Sequence, residues 1–522
     1  MMQLRLLASW LGTMLSRHRY FVLCLFLLYK VAIYATNGIW YGDFWEHSAA
    51  VAALVVNPLH PSHPFFGLSA PHAFLTPYHL LVAQFVRATS LDVANSLALF
   101  GVINYCLLVL GLFWYVRGFD RDQAGRSSFY ALLCILFLWG SEPWGYSGFL
   151  HFGLIADVLP YASTFAMAMS FIALAINFGE MRMSRSVQAL IVTVLSTVVL
   201  LTHPLTFVFL ATGLICQCLQ PGDMMTVARR TTRMVLALAV SGALAALWPY
   251  FSIIALLTGA GDVYHPSNQP MYVNVLQRIW PVLVLSPLLP GALRDARQRT
   301  ILYHLAALCL IYGLGYVSGK YSYGRDITFI VILAQILLGA WFARSERRLD
   351  DLYPTITNAL RIALAIGLIA SSVSWLVPTF TRSLTVINSL RIGRQVSNQQ
   401  MYSQLTFLPS FVKPGDVVLS DIETSWLVPT FSGKVIAGLH AQAFVADHET
   451  RISDLTRFFD PNSDERIRQS IVESYKPTFL LLDKQETSNW QTIAAQFDRD
   501  TGKCLVFENT RYRLLRFDCE KH

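Results

Sequence analysis

Charge is scarce in this chain. Asp, Glu, Lys and Arg make up 14% of its 522 residues, against about 25% in a typical soluble domain. Hydrophobic residues make up 54%, and mean hydropathy is +0.46. The shortage excludes a mainly soluble protein. It also excludes reading the net charge of +8 as a nucleic-acid signal. The Lys and Arg residues fall in short clusters between apolar runs, where they orient membrane spans, so no nucleic acid is expected as a partner. Short-period repeats and low-complexity tracts are absent. The first long apolar run ends in Asn37-Gly38-Ile39-Trp40, not in a small-x-small cleavage site, and reads as a retained anchor. Cysteine is sparse outside the apolar runs. Cys24, Cys106, Cys134, Cys216, Cys218 and Cys309 sit in or beside them and read as packing residues. Cys504 and Cys519 lie on the two arms of an expected terminal hairpin, and are expected to pair in an oxidising compartment.

What the chain has instead is a series of apolar runs approaching the ~20 residues that span a bilayer. They lie at about 20–36, 93–116, 127–141, 158–178, 187–202, 205–219, 234–257, 272–290, 301–318, 326–343 and 358–378. That makes about eleven expected spans. Lys30 falls inside the first, and charge at such depth usually faces other helices. The intervening Arg clusters test the count: Arg117, Arg121 and Arg126; Arg182 and Arg185; Arg229, Arg230 and Arg233; Arg294, Arg297 and Arg299; Arg344, Arg347 and Arg348. With the N-terminus inside, every cluster falls inside. An odd number of spans then places everything after 378 outside. The expected fold is an all-α polytopic membrane domain, 1–378, followed by a small α/β domain, 379–522.

The outside segments carry the chemistry. The first, 37–92, holds His47, His60, His63, His72 and His79 among five prolines, with amphipathic helices expected at about 43–56 and 72–88 lying in the interface. In the C-terminal part, 416–420, 434–437 and 478–482 read as strands, 447–460 and 463–474 as helices, and 503–517 as a hairpin. Alternating strands and helices argue for an α/β layer.

Asp43, Glu46 and His47 stand at i, i+3 and i+4, one face of a helix. Two carboxylates and an imidazole at a membrane exit suit acid/base chemistry or a metal. The same residues also suit an ordinary helix start, with Asp43 as N-cap and Glu46 reaching back. His60 and His63 would share one side of an extended proline-type helix, and His72 and His79 one helical face. Glu142, His151 and Asp157 line a second outside segment, either solvated or turned toward ligand hydroxyls. Lys320 and Arg325, in Gly319-Lys320-Tyr321-Ser322-Tyr323-Gly324-Arg325-Asp326, are outer cations that either snorkel, pair with Asp326 or hold phosphate. Arg278, deeper in its span, needs a partner.

Asp43-Phe44-Trp45-Glu46-His47, then Pro58-Leu59-His60-Pro61-Ser62-His63-Pro64 and Thr76-Pro77-Tyr78-His79, in this arrangement of spans, resemble the GT-C class of membrane glycosyltransferases of bacterial type. Val418-Leu419-Ser420-Asp421-Ile422-Glu423-Thr424-Ser425 resembles their outside domains. The resemblance implies an inverting transferase of the bacterial inner (cytoplasmic) membrane, N-terminus inside and C-terminal domain outside. It would move sugar from a polyprenyl-phosphate donor to a glycan, lipid or protein acceptor. It implies a catalytic role for Asp43 with Glu46 in support. Substrate contacts are expected from His47, His60, His63, His79, Arg278, Lys320 and Arg325. A divalent metal is left open as cofactor, because Asp43-Phe44 stands where many members carry two acidic residues. A lipid-linked polysaccharide polymerase or ligase would lean instead on the outside Arg and His residues. A transporter would show paired halves with broken helices.

Overall fold

The computed structural model describes residues 18–40, 42–179, 183–352, 354–391, 397–500 and 504–517. Helices form where the apolar runs place them. Those of nine residues or more are α1 (Arg19–Thr36), α2 (Phe44–Val56), α3 (Pro77–Thr89), α4 (Val93–Phe119), α5 (Ala124–Phe137), α6 (Ala162–Asn177), α7 (Arg185–Thr202), α8 (Pro204–Cys218), α9 (Met224–Ala246), α10 (Val275–Leu285), α11 (Ala296–Val317), α12 (Asp326–Leu352), α13 (Pro354–Arg391), α14 (Ser397–Leu405), α15 (Ile422–Phe431), α16 (His448–Phe459), α17 (Glu465–Tyr475) and α18 (Trp490–Asp500).

Each of the expected spans coincides with one of these helices. Among the described residues, six stretches are long and apolar enough to cross a membrane: Arg19–Thr36, Val93–Phe119, Arg185–Thr202, Val275–Arg294, Ala296–Val317 and Tyr321–Arg348. The protein is a multi-pass membrane protein. Helices α5, α6 and α8 are shorter, at 14, 16 and 15 residues. Helix α9 stops at Ala246, well before the expected 257. Pro249 follows Trp248, and a proline ring disfavours helical backbone in the residue before it. His203-Pro204 separates two helices by a cap: the His203 side chain accepts from Thr206 N, and Pro204 opens α8 where a missing N–H costs nothing.

The chain forms two compact units. The first comprises 1–36, 99–247 and 264–393. Its core includes Trp139, Trp144, Phe149, Met271, Val331 and Leu338, all buried. Helices α5 and α12 approach closely at Gly339, where a Cβ would strike the Ala131 backbone.

The second unit gathers 37–98, 248–263 and 394–522. The sequence division at 378/379 therefore falls inside α13. Strands β1 (Val417–Leu419), β2 (Lys434–Val435), β3 (Phe479–Asp483), β4 (Cys504–Glu508) and β5 (Tyr512–Arg516) form one sheet in the order β2-β1-β3-β5-β4. The first three neighbours run parallel, and β5 and β4 antiparallel. All five β3 residues are buried, as expected of a strand covered on both faces. Leu419, Leu480, Leu482 and Leu515 pack with Leu455, Phe458 and Ile471 of α16 and α17. Asn509 turns the hairpin by accepting from Arg511 N and Tyr512 N at 2.9 and 2.7 Å, an Asx turn. Cys504 lies opposite Arg516 in the register; Cys519 lies outside the described residues.

The segment 37–92 is stitched to this sheet. Val435 N donates to Phe65 O at 2.7 Å. Lys434 Nζ donates to His63 O at 2.6 Å. Trp248 Nε1 donates to Leu75 O at 2.9 Å.

Candidate active site

The site begins at Gly42. Its φ of 55° lies in the left-handed region, which glycine enters without a Cβ clash, and the turn delivers Asp43 to the head of α2. Asp43 makes no side-chain capping bond and its side chain is 42% exposed. Glu46 and His47 are buried. The expected shared face is thus split, with Asp43 open and its two neighbours turned inward. Nor is this the ordinary capped start. Glu46 does not reach back; it accepts a hydrogen bond from His440 Nδ1 at 2.8 Å. The same nitrogen lies 3.8 Å from Asp43 Oδ1, and Trp426 of α15 meets the imidazole edge-on.

Burial pulls the His440 pKa down. The hydrogen bond and charge of Glu46, with Asp43 and Glu423 behind them, outweigh it and push it up to about 9. Burial raises the Glu46 carboxyl, and His440 draws it back. At neutral pH the geometry favours an imidazolium between two carboxylates, one buried and one open.

Around α2 and α3 the imidazoles form a column with Phe74. His47 Nδ1 and His79 Nε2 are 2.8 Å apart, and His79 Nδ1 meets Thr76 Oγ1 at 2.7 Å. The Phe74 ring stacks on His47 and His79 and is met edge-on by His72. His72 Nδ1 accepts from Phe74 N at 3.1 Å, so its proton sits on Nε2, which donates to Gln442 Oε1 at 2.5 Å. His63 Nδ1 accepts from both Phe65 N and Phe66 N at 3.2 and 3.1 Å. Burial depresses His63 to about 2 and His72 to about 4, and holds His79 well below its usual value. These are neutral rings. His60 and His63 do not share a side: His60 is exposed, whereas His63 is 1% exposed. Asn57 Oδ1 accepts from Leu59 N and His60 N, which bends the chain where an extended proline helix was expected.

The expected cations lie in the first unit. Arg325 donates from Nε to Asn268 Oδ1 at 2.6 Å and from Nη1 to Ser147 O at 3.2 Å, with its guanidinium 4.8 Å from the Tyr146 ring centroid. Arg278 donates to Glu142 O at 2.7 Å and lies over Trp144, so its partner is a carbonyl and an aromatic face, not an acid. Lys320 is exposed. Asp326 is fully buried, with both carboxylate oxygens lacking a hydrogen bond. His151 and Asp157 are buried rather than solvated. Asp157 receives a bidentate pair from Arg382 at 3.0 and 3.3 Å. Lys30 donates to Phe152 O and packs on the Phe152 ring, satisfying its buried charge.

Among the described residues no three His, Cys, Asp or Glu side chains converge as metal ligands. Sequence reasoning missed His440, Trp426, Lys434, Gln442 and Arg382. The one local signal for His440 and Gln442 is position: both follow β2 at its carboxyl end, where α/β sheets place binding residues.

No protein-family model and no curated protein matches the chain. Among solved structures it resembles the crystal structure of the Archaeoglobus fulgidus oligosaccharyltransferase tethered with an acceptor peptide containing the NVT sequon via a disulfide bond. The TM-score is 0.53 at 11% identity, covering 93% of this chain and 71% of that one. The likeness is one of fold, and the fold is GT-C.

Proposed function

We propose that the protein is an inverting glycosyltransferase. It takes a sugar from a polyprenyl-phosphate donor and places it on a glycan, glycolipid or protein acceptor at the outer face of the bacterial inner membrane. The GT-C fold supports the reaction class. The observation that carries the site is Asp43: an open carboxylate beside the pair formed by the buried Glu46 and the half-exposed His440. The acceptor oxygen attacks the anomeric carbon and its proton passes to Asp43. The bond from that carbon to the phosphate oxygen breaks, and its electron pair leaves with the phosphate. A phosphate leaving group needs no general acid, only positive charge. Lys320, Arg325 and Arg278 are the proposed cations. Glu46 fixes His440, and His440 in turn positions Asp43. His47 and His79, bonded directly to each other with Thr76 holding His79, tie α2 to α3 and brace the helix that follows Asp43 and carries Glu46; His60 and His63 belong to the loop that the acceptor would cross.

The test is transfer in membranes with expression matched. Asp43→Asn keeps the shape and removes the base, so the rate should fall by about 10² to 10⁴. Glu46→Gln should cost less. Near-normal transfer by Asp43→Asn would refute the assignment, and losses confined to His60 and His63 would favour a polymerase or ligase.

A further inference from the structure

A polar cavity lies in the first unit, among the α6–α9 ends that carry Arg clusters. It encloses about 220 Å³, and Arg185, Arg230 and Arg233 border it together with Asn177, Gln188 and Gln217. The amides are already engaged. Asn177 Nδ2 donates to Gln217 Oε1 at 2.7 Å. Gln217 Nε2 donates to Leu174 O at 3.2 Å, and Gln188 Nε2 to Ile176 O at 2.7 Å. They form a fixed floor. Arg230 donates to Gln220 O at 3.2 Å, and the charge of Asp223, the exposed N-cap of α9, reaches it. Among the described residues no carboxylate pairs with Arg185 or Arg233, and none lines the cavity. Three guanidiniums around one small space repel one another unless an anion sits between them.

The apolar part says which anion. Ala189, Val192, Met234 and Ala237 also line the cavity. The same two helices, α7 and α9, expose Leu190, Val194, Leu236 and Val240 at 48% or more. A headgroup in the cavity would therefore sit on helices that also offer a surface fit for acyl chains. Basic pockets between membrane helices hold anionic headgroups in this way. We propose that the cavity binds the phosphate of an anionic phospholipid, at a site separate from Asp43 and independent of the transferase reading.

The experiment uses delipidated full-length protein in neutral detergent, with phosphatidylglycerol, phosphatidylcholine and inorganic phosphate as probes. Native mass spectrometry reads lipid retention, and thermal unfolding reads stabilisation. Phosphatidylglycerol should be retained and should stabilise, with phosphatidylcholine far weaker. R185Q/R233Q should bind phosphatidylglycerol about thirtyfold more weakly, and R185K/R233K should keep most of the affinity. Should the double variant fold poorly, R233Q alone should lose about fivefold. Equal retention by the Gln and wild-type proteins would overturn the proposal. So would stabilisation by inorganic phosphate with nothing gained from the lipid.

Discussion

Removing His440 should expose the logic of the acidic site. In His440→Ala, Glu46 keeps its burial and loses the donor at 2.8 Å. A hydrogen bond to a charged group contributes ~1.5–3 kcal/mol. The His440 side chain is 47% exposed, so solvent screens the pair and the lower end applies, about 1.5 kcal/mol. The pH dependence is more diagnostic. The folded pKa of His440, about 9, lies above its ordinary 6.5. Its contribution is therefore complete below about pH 6.5 and disappears as pH rises through about 9. On the acid side the pair fails when Glu46, itself raised by burial, takes a proton. Wild type and His440→Ala should thus differ in thermal midpoint near pH 6.5 and converge by about pH 10. His440→Gln, which keeps a donor without the charge, should fall between them with a flat profile. The assay is thermal unfolding in detergent at one scan rate, since membrane proteins often unfold irreversibly. A constant gap across that range would refute the imidazolium.

Two further outcomes follow from the first unit. Arg325→Ala should slow transfer at least about tenfold, or ~1.4 kcal/mol of barrier, measured with saturating donor; normal turnover would remove Arg325 from the donor site. Gly140→Ala should lower the thermal midpoint, because the new Cβ would strike the Gln277 carbonyl oxygen. Overpacking of this kind costs ~1–3 kcal/mol, and the displaced strand of backbone includes the Gly140 N–H bond to Arg278 O; an unchanged midpoint would show that the loop yields freely.

The helices were legible because lipid-facing composition leaves long apolar runs, and their ends were legible where a proline or a capping side chain marks them. Pro249 was visible too, yet the apolar residues beyond it extended the expected span. Strands β1 and β3 announced themselves as buried apolar runs. Helix α15 did not, since its apolar residues are broken by Thr424, Ser425 and Pro429. His60 and His63 were misjudged together because spacing alone ignores Asn57, whose side chain bends the loop. His440 was beyond reach for another reason. It meets Glu46 across 394 residues of chain, and no local period records such a pairing. Asp43 stood out because it follows the first span, whereas its partner became visible only when the sheet was built.

The stitching of residues 37–98 to the sheet sets an order on synthesis. His63 finds its Lys434 partner 371 residues later in the chain. At the ~5–20 residues per second of translation, the loop waits about 20 to 75 s before that lysine exists. During that interval its imidazoles lack Lys434 and Gln442, and the carbonyls of His63 and Phe65 lack the partners that β2 supplies. The acidic site is consequently a late product of biogenesis: Glu46 leaves the ribosome 394 residues ahead of the histidine that pairs with it.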